Sequence, residues 1–425
     1  MKTCFYIISV KRLVMKMLLF EIKKIFLKPL SRFVLLALAA VLVFCTFMTV
    51  KDVRYVDAQG ETSTGPGAAR SLYEDMSEWS GYITPEVLAR VVEENNRINS
   101  TPQALSEDIT ENDKAYSMTQ GYSDIREYIN QAFRGQDGYD YYIINSVSPD
   151  EAGQIYERRI SNLEDYLNSP DAGRLSQEKK DFLIGQYKAL ETPFYYEPAI
   201  GWNALLDTGY MPTLVMMTVL VIGFLVSGIF SGEFQMRSDA ILFSSKLGRS
   251  KAVIAKIAAG LISGSAVYWA SVLIFSAAAL ALLGAGGGGC AIQTGFGYWR
   301  SFYNVTFIQE YLITVLGGYA GALFIMTVAM AVSALSRSTV LSVTVPFALV
   351  ALPFFIGRID LLSHITALFP DQLLQISAIT DDISLIYEIG GKVFGSIPIL
   401  FVLYGLMFFV LVPLLYRIYS RAEIR

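Results

Sequence analysis

The stretch Ser231–Lys256, SGEFQMRSDAILFSSKLGRSKAVIAK, decides how the rest of the chain is read. It lies between two apolar runs, Met211–Phe230 and Ile257–Leu283, each long enough to cross a bilayer. It holds five Lys/Arg (Arg237, Lys246, Arg249, Lys251, Lys256) against two acids, Glu233 and Asp239. Short positive loops are retained in the cytoplasm, so this one is expected there. Glu233 and Arg237 stand four apart with the acid first, a favourable helical pair. Ala240, Ile241, Leu242 and Phe243 then form an apolar patch for which a solvated loop has no use. Two readings of the patch stand side by side. One is a short helix whose apolar side chains fill a partner's groove. The other is an interfacial helix resting on lipid beside a positive stop signal.

The whole chain fits that setting. It has 425 residues, 53% of them hydrophobic, and a mean hydropathy of +0.43, the composition of a polytopic membrane protein. Six runs carry no Asp, Glu, Lys, Arg or His: Phe33–Val50, Met211–Phe230, Ile257–Leu283, Tyr311–Leu335, Thr339–Ile356 and Phe394–Tyr416. The segments between them alternate in charge. Segments 1–32, 231–256, 336–338 and 417–425 carry 17 Lys/Arg and 4 acids, and the remaining segments carry 17 Lys/Arg and 34 acids. The first set is expected in the cytoplasm together with both termini, which agrees with an even number of spans. Cys4, Cys45 and Cys290 have no paired spacing, so neither a disulfide framework nor a zinc pattern is expected. The single histidine, His364, reads as an interfacial or loop residue.

Taken in order, 1–32 has a charged start and a short apolar run but no small-residue cleavage site, so it is read as a cytoplasmic N-terminus rather than a signal peptide. Met15 and Met17 are alternative starts. Leu18, Ile22, Ile25 and Phe26 share one helical face, with Glu21, Lys23, Lys24 and Lys28 around the other, as in an amphipathic helix lying in the interface. Pro29 then turns the chain into the first span. Residues 51–210 form a 160-residue acidic domain with 14 Lys/Arg and 28 acids. Asp57–Ala68 reads as a loop. Thr84, Ser148 and Ser176 each stand before helix-forming residues as capping hydroxyls, the first two followed by proline, so the domain is expected to be mainly helical. Ile155, Ile160, Leu163 and Leu167 mark one buried stripe. The clusters Tyr139, Tyr141, Tyr142 and Phe194, Tyr195, Tyr196 are read as packing and membrane-interface contacts rather than a ligand surface. Gly260 and Gly264, and again Gly317 and Gly321, have the spacing that lets helices approach closely. Gly284–Gly289 lacks a following Lys-Ser/Thr and is no phosphate loop. Ser336–Ser338 is a tight turn, and Gly357–Val393 is expected to hold a short helix pair dipping into the outer leaflet.

The chain has no GxxxxGK[ST] for nucleotide and no HExxH, and one histidine cannot support a zinc protease or a Ser–His dyad. The six apolar runs lack the ionisable groups that proton-coupled carriers need at membrane depth, so energy for transport is expected from a separate ATPase.

These residues resemble the permease subunit of an ABC type-2 transporter. The resemblance covers the architecture of nearly the full length: an elbow helix (LLFEIKKIFLKPL), one span, a large outer domain, then five more spans. Glu233, Arg237, AILFSSKLGR and Lys256 look like that family's coupling loop, which enters the ATP-binding subunit; Lys246 stands where many members carry proline. SALSRSTVLS is similar to the second inner turn, and the segment with Pro370 to the paired re-entrant helices before the last span. The resemblance implies an all-α polytopic membrane protein of six transmembrane helices with an N-terminal interfacial elbow helix, plus a mainly helical extracytoplasmic domain. It implies a multi-pass cell-membrane protein that acts as an exporter, with no catalytic residue, metal or cofactor of its own, ATP being bound by the partner subunit. It further implies as partners a cytoplasmic ABC ATP-binding subunit docked on Glu233, Arg237, Ala240, Ile241, Leu242, Phe243, Lys246 and Arg249, a second permease copy or paralogue, and membrane lipids, without nucleic acid. The substrate classes it suggests are a peptide, an antibiotic, a lipid-like compound or an ion. The rival readings are a membrane-anchored receptor or resistance protein whose outer domain binds an envelope or peptide ligand, and a secondary transporter.

Overall fold

A computed structural model describes residues 2–134, 139–173, 175–356 and 363–422. The side chain of His364, the residues 357–362 of the expected outer segment, and Met1 lie outside the described residues. The described chain is mostly helical. Five of its helices are long and apolar enough to cross a membrane: Pro29–Lys51, Tyr210–Gln235, Lys251–Leu283, Phe307–Ser336 and Ser396–Ser420. They are called here the first, second, third, fourth and last apolar helices. Each outruns its charge-free stretch at one or both ends, because a helix continues past the last apolar residue until a cap or turn stops it. Pro29 occupies the first turn of the first apolar helix, directly after the N-terminal helix Lys2–Leu27. The run Thr339–Ile356 behaves differently. It forms a 13-residue helix, Thr339–Ala351, with Pro346 inside it, and a further turn at Pro353–Ile356. Thirteen residues span only about 20 Å, against roughly 30 Å of hydrocarbon.

The second and fourth apolar helices are the centre of the bundle, and the first and last lie outside them. Phe33, Leu36, Phe44 and Phe47 of the first, and Val402, Leu406, Phe409 and Val410 of the last, are exposed. A row of large exposed apolar side chains is intolerable in water and ordinary against lipid. With the sequence, this makes the architecture that of a helical multi-pass membrane protein.

The small-residue pairs do two different jobs. A Cβ on Gly260 would stand 2.5 Å from Met330 Sδ and 2.9 Å from Ile229 Cδ1, and one on Gly264 would stand 2.8 Å from Ile222 Cγ2. These two glycines therefore seat the third helix against the second and fourth, as the spacing predicts. Gly317 and Gly321 face something else. A Cβ on either would run into Ile376 or Leu374, side chains of the short segment Pro370–Ile379. That segment lies across the fourth helix as a 3₁₀ turn and a four-residue helix, then passes into a hairpin, Ile386–Ile389 with Lys392–Gly395. The Gly390-Gly391 turn, both residues at positive φ, is the signal for this hairpin that the reading as a helix pair passed over.

Residues 52–209 form the polar domain. Six helices of ten residues or more (from Pro66–Ser77 to Gln177–Lys188) are joined by two small antiparallel pairs, Arg54–Val56 with Thr62–Thr64 and Gly81–Tyr82 with Tyr195–Tyr196. Asp57–Ala68 is therefore a hairpin and a helix start rather than a loop; the Asp57 carboxylate accepts from the amides of Gln59 and Glu61 and so closes the turn. Ser148 and Ser176 cap their helices, Ser148 within a capping box, whereas the Thr84 hydroxyl makes no capping bond. The helix after Ser148 stops at Ala152 and restarts at Ile155, and Ile155, Leu163 and Leu167 are buried on it with Ile160 half-buried. Of the aromatic clusters, Phe194 and Tyr196 are core, while Tyr139, Tyr141, Tyr142 and Tyr195 are exposed.

The domain does not close on its own residues. Trp299, from the connection between the third and fourth helices, completes the core around Leu88, Ile129, Tyr128 and Tyr196. Phe302 and Ile386 complete the second core around Leu163, Leu183 and Tyr187. Gly284–Gly289 is the seat that brings this connection in: a Cβ on Gly287 would lie 2.6 Å from the carbonyl oxygen of Glu197. Arg159 fastens the join. It is buried, donates to the carbonyls of Trp299 (2.9 Å) and Ser301 (2.8 Å), and stacks 3.8 Å over the Tyr187 ring. Arg159→Met keeps the stem but strands the Trp299 carbonyl and leaves that of Ser301 with Gln293 Nε2 alone at 3.1 Å, and is expected to destabilise the protein by about 2 kcal/mol. Thermal unfolding followed by tryptophan fluorescence measures this; an unchanged midpoint would show that Arg159 does not hold the two parts together.

Candidate functional site

The Ser231–Lys256 stretch sits at the end of the bundle opposite the polar domain, and its charges are organised inward. The second helix ends at Gln235, so Glu233 and Arg237 do not form the expected helical pair; Arg237 lies beyond the helix at φ +52° and is exposed. Glu233 is buried and turns toward two lysines. Its Oε1 accepts from Lys24 Nζ at 2.5 Å and from Lys256 Nζ at 2.8 Å, and its Oε2 accepts from Ser238 Oγ at 2.5 Å. Lys256 is 1% exposed and also donates to Glu21 Oε1 at 2.8 Å. The sequence places it among the loop cations, but the third helix begins at Lys251, which carries Lys256 more than a full turn into the helix. Glu21 and Lys24 likewise leave the water-facing side assigned to them and close this cluster. Two acids and two bases from three helices thus satisfy each other where water is scarce. Buried ions persist only when so paired.

The same end gathers the remaining helices. Ser231 N donates to Ser333 Oγ at 2.9 Å, Ser333 Oγ donates in turn to the Ser227 carbonyl, and Ser231 Oγ lies 2.9 Å from Thr339 Oγ1. This places the turn Ser336–Ser338 and the start of the Thr339 helix beside the loop. At the far end Ile397 N donates to the Tyr303 phenol oxygen at 3.4 Å, on the polar-domain side. The chain therefore passes from one end of the bundle to the other between Thr339 and Ser396.

Between the cluster and Lys251 lies a six-residue helix, Asp239–Ser244. Its four apolar residues divide. Phe243 is 6% exposed and packs on Phe234 and Tyr419, with the Arg249 guanidinium 4.5 Å over its ring. Arg249 then donates to the carbonyls of Ser420 (3.0 Å) and Ala422 (2.8 Å), so the back of the loop is fastened to the end of the last helix. Leu242 is half-buried on the same core. Ala240 and Ile241 face out, Ile241 at 76% exposure, with Met236 and Lys246 beside them. Of the eight residues expected to meet a partner, Glu233, Phe243 and Arg249 instead hold the loop in place, Leu242 is shared, and Arg237, Ala240, Ile241 and Lys246 form the presented face. Tyr419 and Phe234 were missed, and no local pattern marks them, since their role depends on the last helix returning to this corner.

At the other end, the fourth helix starts at Phe307, so Glu310, just outside the charge-free run, is helical and wholly buried, with Thr380 Oγ1 donating to its Oε1 at 2.6 Å. Among the described residues no group of three His, Cys, Asp or Glu side chains gathers as a metal site would require, and Cys45 and Cys290 are buried and separate. Comparison of the chain with family models, with curated proteins and with solved structures finds no match.

The cluster predicts strong coupling. Lys256→Met leaves two carboxylates buried around one remaining lysine and is expected to cost about 3–5 kcal/mol. The double variant Glu233→Gln, Lys256→Met should cost less than the sum of the single changes by at least about 1 kcal/mol. Unfolding of the four proteins in one detergent gives the cycle, and strict additivity would show that the pair is not coupled.

Proposed function

We propose that this chain is the membrane permease subunit of an ABC type-2 exporter, driven by a separate ATP-binding subunit that docks on the loop Met236–Arg249. The observation that carries the reading is the division of the loop helix. Ile241 and Ala240 are offered outward, while Phe243 and Arg249 fix the opposite side to the last helix and Glu233 fixes its base to the N-terminal and third helices. A helix that only rests on lipid has no need of a rigid mounting. One that receives a push from a partner does, because a force applied to a loose loop moves the loop alone.

In this reading the loop end is cytoplasmic, in line with the 17 to 4 excess of Lys/Arg over acids in its segments, and the polar domain is extracytoplasmic. The N-terminal helix is the elbow lying across the inner ends. The broken stretch from Thr339, which carries the chain back toward the domain end, is the sixth pass, its helix extended by the turn at Pro353–Ile356. The exposed faces of the first and last apolar helices meet lipid or a second permease copy. This chain supplies the pathway and the partner hydrolyses ATP, so it has no catalytic residue to find.

Ile241→Glu tests the reading at its exposed point. Because the side chain is outside the core, the variant should unfold at the same temperature as the parent while its affinity for the ATP-binding subunit falls by tenfold or more, on the order of 2 kcal/mol for a central anchor. Phe243→Ala should behave oppositely in its first effect, lowering permease stability by about 3 kcal/mol. Unchanged subunit binding by the Ile241 variant would mean that this face is not the docking surface.

A further inference from the structure

A cavity of about 710 Å³ lies where the polar domain meets the domain ends of the first and second apolar helices, within the size range of ligand pockets. Its wall combines two chemistries. Leu72, Met76 and Phe296 give it an apolar side. Asp52, Asp124, Asp207 and Asp381 give it four carboxylates against one lining cation, Arg54. Among the described residues, only Asp381 has its charge met by a salt bridge, from Arg300 at 3.3 Å outside the cavity. The hydrogen bonds accepted by the other three come from neutral donors: Asp52 from the Tyr210 phenol (2.8 Å), Asp124 from the Tyr196 phenol (3.0 Å) and Asp207 from the Gly209 amide (2.7 Å). Neutral donors orient a carboxylate and leave its charge for a ligand. A second feature points the same way. Thr49 lines the cavity, is 3% exposed, and its Oγ1 has no hydrogen-bond partner among the described residues. A helical threonine ordinarily returns its hydroxyl to the preceding turn, so this one is held for something in the cavity.

We propose that this cavity binds an organic cation with an apolar body. The carboxylates would compensate its charge, the Thr49 hydroxyl would supply one polar contact, and the Leu72, Met76 and Phe296 side would take the hydrophobic part. A phosphate-bearing or carboxylate ligand is disfavoured by the same acids. Such a cation has two sources, the aqueous phase and a cationic lipid of the adjoining leaflet. The inference stands apart from the docking assignment, since it concerns the opposite end of the molecule and needs no ATPase.

The test uses the full chain in phosphatidylcholine nanodiscs, with empty discs subtracted, and two rigid probes of matched shape and opposite charge, tetraphenylphosphonium and tetraphenylborate. The phosphonium should bind saturably at one per chain and the borate should not. Asp52→Asn with Asp207→Asn keeps both hydrogen bonds and removes two charges; it should unfold as the parent does and raise the phosphonium Kd about tenfold or more. Should that pair fail to fold, Ala204→Leu, which fills the cavity and leaves the acids alone, should weaken the phosphonium by a similar factor. Doping the discs with a trimethylammonium lipid settles the source: competition assigns the leaflet, and its absence assigns the aqueous route, both within the proposal. Equal binding of the two probes, or a phosphonium affinity unchanged in a folded variant of either kind, would overturn it.

Discussion

Lys256 is the fixed point of the molecule. An ammonium with 1% exposure inside the third apolar helix is tolerable only because Glu233 and Glu21 both reach it, and Glu233 in turn holds Lys24. Satisfying that one charge obliges the N-terminal helix to lie against the ends of the second and third helices. It also fixes where the second helix stops and therefore where the loop begins. Ser238 completes the Glu233 carboxylate from the loop itself, and Arg249 and Phe243 carry the fastening on to the last helix. The loop is thus part of the bundle's rigid frame, and a small face of it, around Ile241, stays exposed.

The opposite end follows a different rule. There the polar domain and the bundle share their cores, since Trp299, Phe302 and Ile386 come from connections between apolar helices and not from the domain's own segment. A fragment cut at residues 57–198 would lack these side chains and expose the surfaces they cover. The same join leaves the acid-lined cavity between Thr49, Asp124 and Asp207. Under the proposed function, the first to third helices connect a site of force at one end to a site for ligand at the other. Helices packed through Gly260 and Gly264 transmit such a displacement with little loss.

Much of this was legible in the residues. The charge-free runs locate five apolar helices to within a few residues at most ends, and the capping serines and prolines locate the starts of the domain helices, because both signals are local. What stayed hidden depends on partners distant in sequence. Lys256 reads as a loop cation until Glu21, 235 positions away, is placed beside it. Phe243 reads as an offered anchor until Tyr419 closes over it. The Glu233–Arg237 spacing is right for a helix, but the helix ends first. Gly317 and Gly321 have the spacing of a helix contact, yet their neighbour is the irregular segment around Leu374, whose path no periodicity describes. Thr339–Ile356 reads as one span by composition, and the length of its unbroken helix is set by the Pro353 that interrupts it.

Under the proposed function the loop face is an interface with an ATP-binding subunit, and a photo-crosslinking amino acid at position 241 tests this most directly. Irradiation of native membranes, followed by mass spectrometry of the adducts, should give a covalent product between position 241 and a protein carrying a GxxxxGK[ST] nucleotide loop, while the same probe at Leu105 in the polar domain should give none. Adducts with lipid alone at position 241, or the same protein captured equally from position 105, would contradict the assignment.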